Sequence, residues 1–360
     1  MTGRLTSARL VGAGAAAVVA VVTALLPLFL DSSQLTVYTE LLLSAVVTTG
    51  VSLLLGYAGQ ISLGHGGFYA AGAYTAALMA THGMPSLLGL ACAPLVAGLL
   101  GLLVGMPLLR LRGHYLAFAT LAFQLILLAV IGQQSSMGGD IGLSGIPALG
   151  IGSRHISDFR GYAWVAWLAL VAVMILTRNI VRSRPGRGLR ALATSEMAAS
   201  SSGVPVGRYK LVVFSLSAAF AGLAGGIFAF FIAYVAPGSF GVLVSFQFVV
   251  MAVVGGLGTL WGPLVGAATI TLLLQWLNDL GARPGMPDYA PQVFSYAVYA
   301  LLLVLVVLFL PRGLVPAGTD ALRLLARRRL ARAQPGADAA GAADATGAGV
   351  EEPVPSPQRQ

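Results

Sequence analysis

Apolar stretches follow one another along most of this chain, each near the ~20 residues that a helix needs to cross the hydrocarbon of a bilayer. They run at 11–30, 38–56, 66–82, 86–109, 115–132, 162–180, 210–234, 244–260, 263–279 and 292–310. Of the 360 residues 57% are hydrophobic and only 9% charged, against roughly 25% charged in a soluble domain. The fold class is therefore all-α, a polytopic membrane protein with about ten transmembrane helices. The third, eighth and ninth stretches are short and broken by glycine, which leaves counts of eight or nine open. Residues 1–315 form the transmembrane domain, and 316–360 a basic and then disordered tail. The stretch from 333 on is built from Ala, Gly, Asp, Pro and Gln with no apolar period to support packing.

Charge placement orients the helices, because loops on the cytoplasmic side are enriched in Lys and Arg. With the N-terminus inside and ten helices alternating, only Arg154, Arg160 and Arg283 of the 21 Lys and Arg fall outside. Both termini and 182–209 are then expected in the cytoplasm, with 133–161 outside. The net charge of +9 is accounted for by topology and by attraction to anionic membrane lipid, with no nucleic-acid partner. Arg4 and Arg9 ahead of an apolar run resemble a signal peptide, but no small-x-small cleavage site follows cleanly, so 11–30 is expected to be a retained helix. Tyr162, Trp164 and Trp167 at the start of the sixth stretch are expected at the headgroup level. The glycine-rich 133–161 suits a cap over the outer mouth, or equally a surface loop with a short interfacial helix.

Several chemistries are excluded. The single lysine, Lys210, follows Arg208 and Tyr209, so no G-x-x-x-x-G-K-[ST] phosphate loop exists. The chain is expected to have no cofactor and no enzymatic activity of its own. His65, His82, His114 and His155 form no ligand-spaced cluster, and the lone Cys92 excludes disulfides. Glu40 is the only acid near the interior of a span, which argues against a proton-driven carrier, since those bury ionisable groups at mid-membrane.

Two polar features remain. The first is GYAGQISLGHGGFYAAG at 56–72, where glycines let helices approach closely or let the backbone unwind. Unwound backbone is tolerated in a membrane only where it is buried in protein or lines a cavity. Gly59, Gln60, Ser62, Gly64 and His65 are thus translocation-path candidates, with bonding to the freed backbone as the alternative role. Gly255, Gly256, Gly258, Gly262 and Gly266 mark a second closely packed or broken helix pair. The second feature is 182–209. At ~100° per residue, Leu189, Leu192, Ala193 and Glu196 share a face while Arg187 and Arg190 point away. Pressed on the protein's own core, that face would bury Glu196 unpaired. A helix inserted into a partner's groove, with Glu196 meeting a cation there, is the expectation, with a solvated cytoplasmic loop helix as the alternative, and Gly203 and Pro205 end it.

At these residues the sequence resembles the permease subunits of branched-chain amino acid ABC importers of the LivM type. GYAGQISLGHGGFYAAGAYTAAL at 56–78, LRLRGHYLAFATLAFQ at 109–124 and GRGLRALATSEMAASSSGVPVGRYKLVVFSLSAAFAGLAGGI at 186–227 carry the likeness. The resemblance implies a permease in the cytoplasmic membrane that moves branched-chain amino acids, driven by separate ATPase subunits that bind the ATP. A second permease subunit, different from this one, and an extracytoplasmic solute-binding protein complete the importer. It also implies that 182–209 is the coupling loop, through Arg187, Leu189, Leu192, Glu196, Ala198, Ala199 and Gly203. Glu196, Ala198, Ala199 and Gly203 resemble an E-A-A-x-x-x-G element with Met197 inserted after the glutamate. The family is similar to urea permeases and, more distantly, to sugar permeases. A urea, amide or other small-solute permease, or an ATP-independent channel, is the alternative function.

Overall fold

The computed structural model describes residues 19–111, 113–151, 154–156, 158–281, 297, 300, 301 and 313–319. The upstream part of the first apolar stretch, most of the tenth, Arg112, Arg283 and the tail from 320 on lie outside them. The chain divides into two units, Met1–Val315 and Pro316–Gln360. The second is described only at its beginning, where a helical turn is held by Thr319 Oγ1 donating to the Pro316 carbonyl.

Ten helices of the first unit carry the architecture: α1 (Ser32–Ala58), α2 (His65–Thr81), α3 (Ser86–Leu108), α4 (His114–Gln133), α5 (Phe159–Arg182), α6 (Arg184–Thr194), α7 (Glu196–Ser201), α8 (Val206–Ile232), α9 (Val242–Gly255) and α10 (Gly262–Gly281). Residues 19–28 add a short apolar helix before them. Among the described residues six helices are long and apolar enough to cross a membrane. α2 is not one of them. Its 17 residues span about 25 Å at ~1.5 Å per residue, short of the ~30 Å hydrocarbon thickness, because the chain before it is not helical. α1 instead runs further than its apolar stretch. The polar turn 32–37 joins it, with the Asp31 N–H donating to Gln34 Oε1 at 3.3 Å.

α1 and α8 form the centre. The most apolar window of α1 is 78% buried, against 22% in α5 and 28% in both α3 and α4. Leu95, Leu99, Phe118, Ile126, Leu168 and Ile175 on these outer helices are exposed, the surface that lipid would cover. α8 packs on α2 and α3 through small residues. A side chain at Gly72 would overlap the Gly222 backbone, and one at Gly222 would overlap Ala97. In a membrane, where lipid tails are as apolar as leucine, such close backbone approach supplies packing that burial cannot. The later glycine cluster does the same, since Gly255 and Gly266 lie against the Gly262 and Met251 carbonyls.

Loops meet in two sets. At one end Tyr57 Oη donates to the Gly258 carbonyl at 2.6 Å. At the other, Leu143–Ser144 pairs antiparallel with Tyr234–Val235, and Ser86 Oγ donates to the Ala148 carbonyl at 3.2 Å. Among its described residues the segment 134–158 holds no α-helix. It has a 3-10 turn at Ser135–Met137 and two-residue strands, and it packs Ile146 and Leu149 into the core. Tyr162 is correspondingly not a headgroup anchor. It is buried, and its hydroxyl accepts the Leu149 N–H at 3.1 Å. Trp167 Nε1 donates to Thr23 Oγ1 at 3.1 Å, while Trp164 stays partly exposed.

Candidate functional site

The break between α1 and α2 is held by polar groups from three other helices. Gly59 ends α1 in the left-handed region, φ 63°, where glycine meets no steric penalty. The chain then runs without helix to Gly64, which lies so close to the Thr120 carbonyl of α4 that a Cβ would displace it. The Leu63 N–H donates to Thr120 Oγ1 at 3.0 Å, and the Gly66 N–H, one of the unpaired amides that open α2, to Ser245 Oγ of α9 at 2.7 Å. Ser245 Oγ donates onward to Gln124 Oε1 at 2.6 Å. Gln124 Nε2 donates to the Phe240 carbonyl at 2.9 Å. His65 Nε2 lies 2.6 Å from Ser217 Oγ of α8. Ser62 and His65 are buried, as are Gln60, Thr120, Gln124, Ser217 and Ser245.

The segment 182–209 folds as two short helices rather than one. Ser183 caps α6 by accepting the Gly186 N–H at 3.4 Å, and Pro185 occupies its first turn, where a missing N–H costs nothing. Leu189 and Leu192 are 2% and 3% exposed, inside the protein's own core. Ser195, extended at φ −160° and ψ 121°, ends α6 and caps α7 by accepting the Ala198 N–H. That break corrects the single-face expectation. Ala193 is exposed, and Glu196 belongs to the next helix, 47% exposed and ion-paired with Lys210 of the same chain. The core thus takes the apolar face without burying the carboxylate. Ala199 anchors α7 at 1% exposure, and Gly203, φ 77°, turns the chain toward α8. Arg187, Arg190 and Ala198 stay exposed. Met197 is 80% exposed, the most exposed large apolar side chain of the segment.

A cavity of about 280 Å³ opens between α1, α9 and α10, with Glu40, Ser44, Gln247, Thr271 and Gln275 among its described lining. Sequence reasoning noted Glu40 only as an isolated acid and missed the others. The signal was present as spacing: Glu40 and Ser44 at i, i+4, and Thr271 and Gln275 likewise, place polar groups on one face of otherwise apolar helices.

The chain matches the family described as branched-chain amino acid transport system / permease component over residues 33–307. It belongs to that family. The permease is 30% identical over 323 residues to the high-affinity branched-chain amino acid transport system permease protein LivM of Escherichia coli (strain K12), covering 83% of this chain and 73% of the relative. The LivM of Salmonella typhimurium gives the same figures. The corresponding LivH of Escherichia coli (strain K12) is 27% identical over 292 residues, 75% of this chain and 90% of the relative. No solved structure matches. The protein is thus a multi-pass membrane permease component of a transport system with other subunits.

Within this permease the candidates from sequence separate. His65 bonds to α8, Gly64 packs on α4 and Ser62 bonds within the break to the Gly64 N–H, and none of Gly59, Gln60, Ser62, Gly64 and His65 is among the cavity's described lining. Leu189, Leu192 and Ala199 anchor their segment, whereas Arg187, Glu196, Ala198 and Gly203 lie on its surface. Among the described residues no group of His, Cys, Asp and Glu could hold a metal ion.

Proposed function

We propose that this chain is the permease subunit of an ATP-binding cassette importer for branched-chain amino acids, lying in the cytoplasmic membrane with both termini inside. ATP is bound by separate ATPase subunits. A second, different permease subunit completes the membrane pathway, and an extracytoplasmic binding protein delivers solute at the end carrying 133–161. The observation that carries this reading is the surface of α6 and α7. Both helices are pinned to the membrane bundle by Leu189, Leu192 and Ala199, yet they present Arg187, Arg190 and Met197 outward. An exposed apolar side chain amid cations, on rigid helices, suits an interface anchor with a polar rim. Glu196 is not that anchor, because its charge is already matched by Lys210. The break at 59–64, with Gln60 and His65, serves as a hinge beside the path.

Co-purification of the ATPase subunits with Met197→Asp and with wild type, alongside uptake of labelled leucine by the assembled importer, tests the reading. Burying a charge at an interface anchor is expected to cost at least ~2 kcal/mol, more than tenfold in association at ~1.4 kcal/mol per decade. Met197→Asp is therefore expected to lose its ATPases and uptake while inserting normally. Retention of both at wild-type levels contradicts the docking surface, and uptake without ATP contradicts the importer.

A further inference from the structure

Among the described residues, Glu40 is the one acid in a membrane-spanning helix more than a turn from the helix end. It lies roughly 12 Å along α1 from Ser32, taking ~1.5 Å per residue, in the half of the bundle nearer 133–161. An ionisable group at such depth is costly and persists where it meets a water-filled path, an opposite charge or a ligand. Glu40 forms no hydrogen bond and no ion pair among the described residues, and neither do the side chains of Ser44, Gln247 and Thr271 beside it. At the α1–α2 break, by contrast, Ser245 and Gln124 bond to each other and to the Gly66 and Phe240 backbone, although Gln60 Oε1 and His65 Nδ1 are buried there without a partner among the described residues.

We propose that this cavity is a station for an α-amino acid zwitterion in passage, with the Glu40 carboxylate receiving the α-ammonium group. The proposal rests on the amino-acid import reading and deepens it. The chemistry of the wall is divided as a zwitterion requires. Glu40 supplies the one negative charge, while the Gln247 amide and the Ser44 and Thr271 hydroxyls can donate to a carboxylate without adding a competing cation. Phe248, Met251 and Leu274 line the same cavity and offer apolar surface to an aliphatic side chain. At about 280 Å³ it is slightly smaller than the ~300 Å³ at which pockets for drug-sized ligands begin, a size for a single small solute. Gln275, also in the lining, holds its amide nitrogen on Asp279 Oδ1 at 3.1 Å. A neutral amide can also donate to the carboxylate but brings no charge to it, so the site favours a cationic group through the charge-assisted bond. Glu40 is exposed at the mouth of the cavity, where an arriving ammonium can reach it, and charge-assisted bonds of this kind are roughly twice as strong as neutral ones.

The test uses the complete importer in proteoliposomes with ATP and saturating leucine-loaded binding protein, comparing wild type, Glu40→Gln and Glu40→Asp. Glu40→Gln keeps the shape and removes the charge. It is expected to lower leucine uptake by at least about tenfold, the equivalent of ~1.4 kcal/mol. Glu40→Asp is expected to recover part of it, and the second permease subunit and the ATPases should co-purify unchanged with both. Uptake by Glu40→Gln within twofold of wild type overturns the site. Loss of the second permease subunit from Glu40→Gln also overturns it, by making Glu40 an assembly residue. If the wild-type importer moves no amino acid, the functional reading fails, whatever the variants do.

Discussion

Two polar regions lie within the membrane-spanning part of this protein, and they are built in opposite ways. At the α1–α2 break, the Leu63 and Gly66 N–H groups donate to Thr120 and Ser245, the Ser245 hydroxyl donates to Gln124 Oε1, and the Gln124 amide donates to the Phe240 carbonyl. In the neighbouring cavity between α1, α9 and α10, Glu40, Ser44, Gln247 and Thr271 bond to no described neighbour. The first region is bonded because unwound backbone in a membrane must be paired by its own protein. In the second, Glu40 is exposed and Ser44, Gln247 and Thr271 are half-buried, so their polar atoms stay open to whatever enters. Polar groups that close on one another hold a membrane protein together, whereas groups left open are available to whatever passes.

That contrast can be broken by substitution, and the effects on stability should rank. Gln124→Leu is expected to be the most damaging, since it leaves both the Ser245 hydroxyl and the Phe240 carbonyl without their partner. Each buried group so orphaned costs about 1–3 kcal/mol, to be read as a fall in the thermal unfolding midpoint of the purified protein. His65→Phe should cost less. It removes one 2.6 Å bond to Ser217 while keeping a ring against Phe68, about 1–3 kcal/mol for a single orphaned hydroxyl. Glu196→Gln should shift the midpoint least of the three, because an ion pair with one partner half in solvent contributes about 0–1 kcal/mol. A larger loss at Glu196 than at Gln124 would mean that the fold is fastened at the 182–209 segment and not at the break.

The helices were legible in the sequence because hydropathy and length report directly on a bilayer. α1 to α5 and α8 to α10 fall on stretches that composition alone delimits. Their ends were less so. α1 gains the polar turn at 32–37 because Asp31 and Gln34 close its first turn, a local bond that hydropathy ignores. The segment 182–209 was misread as one helical face because nothing in a 100° projection shows that Ser195 will turn extended and start a new helix. Once the chain breaks there, Glu196 swings toward Lys210, and the argument that needed a partner's cation dissolves. Gly59 in the left-handed region opens the unwound backbone at the break. What unwound backbone bonds to was invisible, since Thr120, Gln124, Ser217 and Ser245 are far from it in sequence. The cavity was missed for a similar reason. Glu40 stood out, but its neighbours Gln247, Thr271 and Gln275 come from helices that only the packing of α1 against α9 and α10 brings to it.

The contrast between the two polar regions is tested most directly by measuring unfolding midpoint and leucine uptake per assembled complex for the same pair of variants, Gln124→Leu and Glu40→Gln. The expected result is a divided one. Gln124→Leu should lower the midpoint markedly, whereas Glu40→Gln should leave stability within about 0.5 kcal/mol, as for a position without bonds to lose, and abolish most of the uptake. A Glu40→Gln protein that unfolds early while transporting normally, or a Gln124→Leu protein as stable as wild type, would contradict the assignment of one region to structure and the other to the solute.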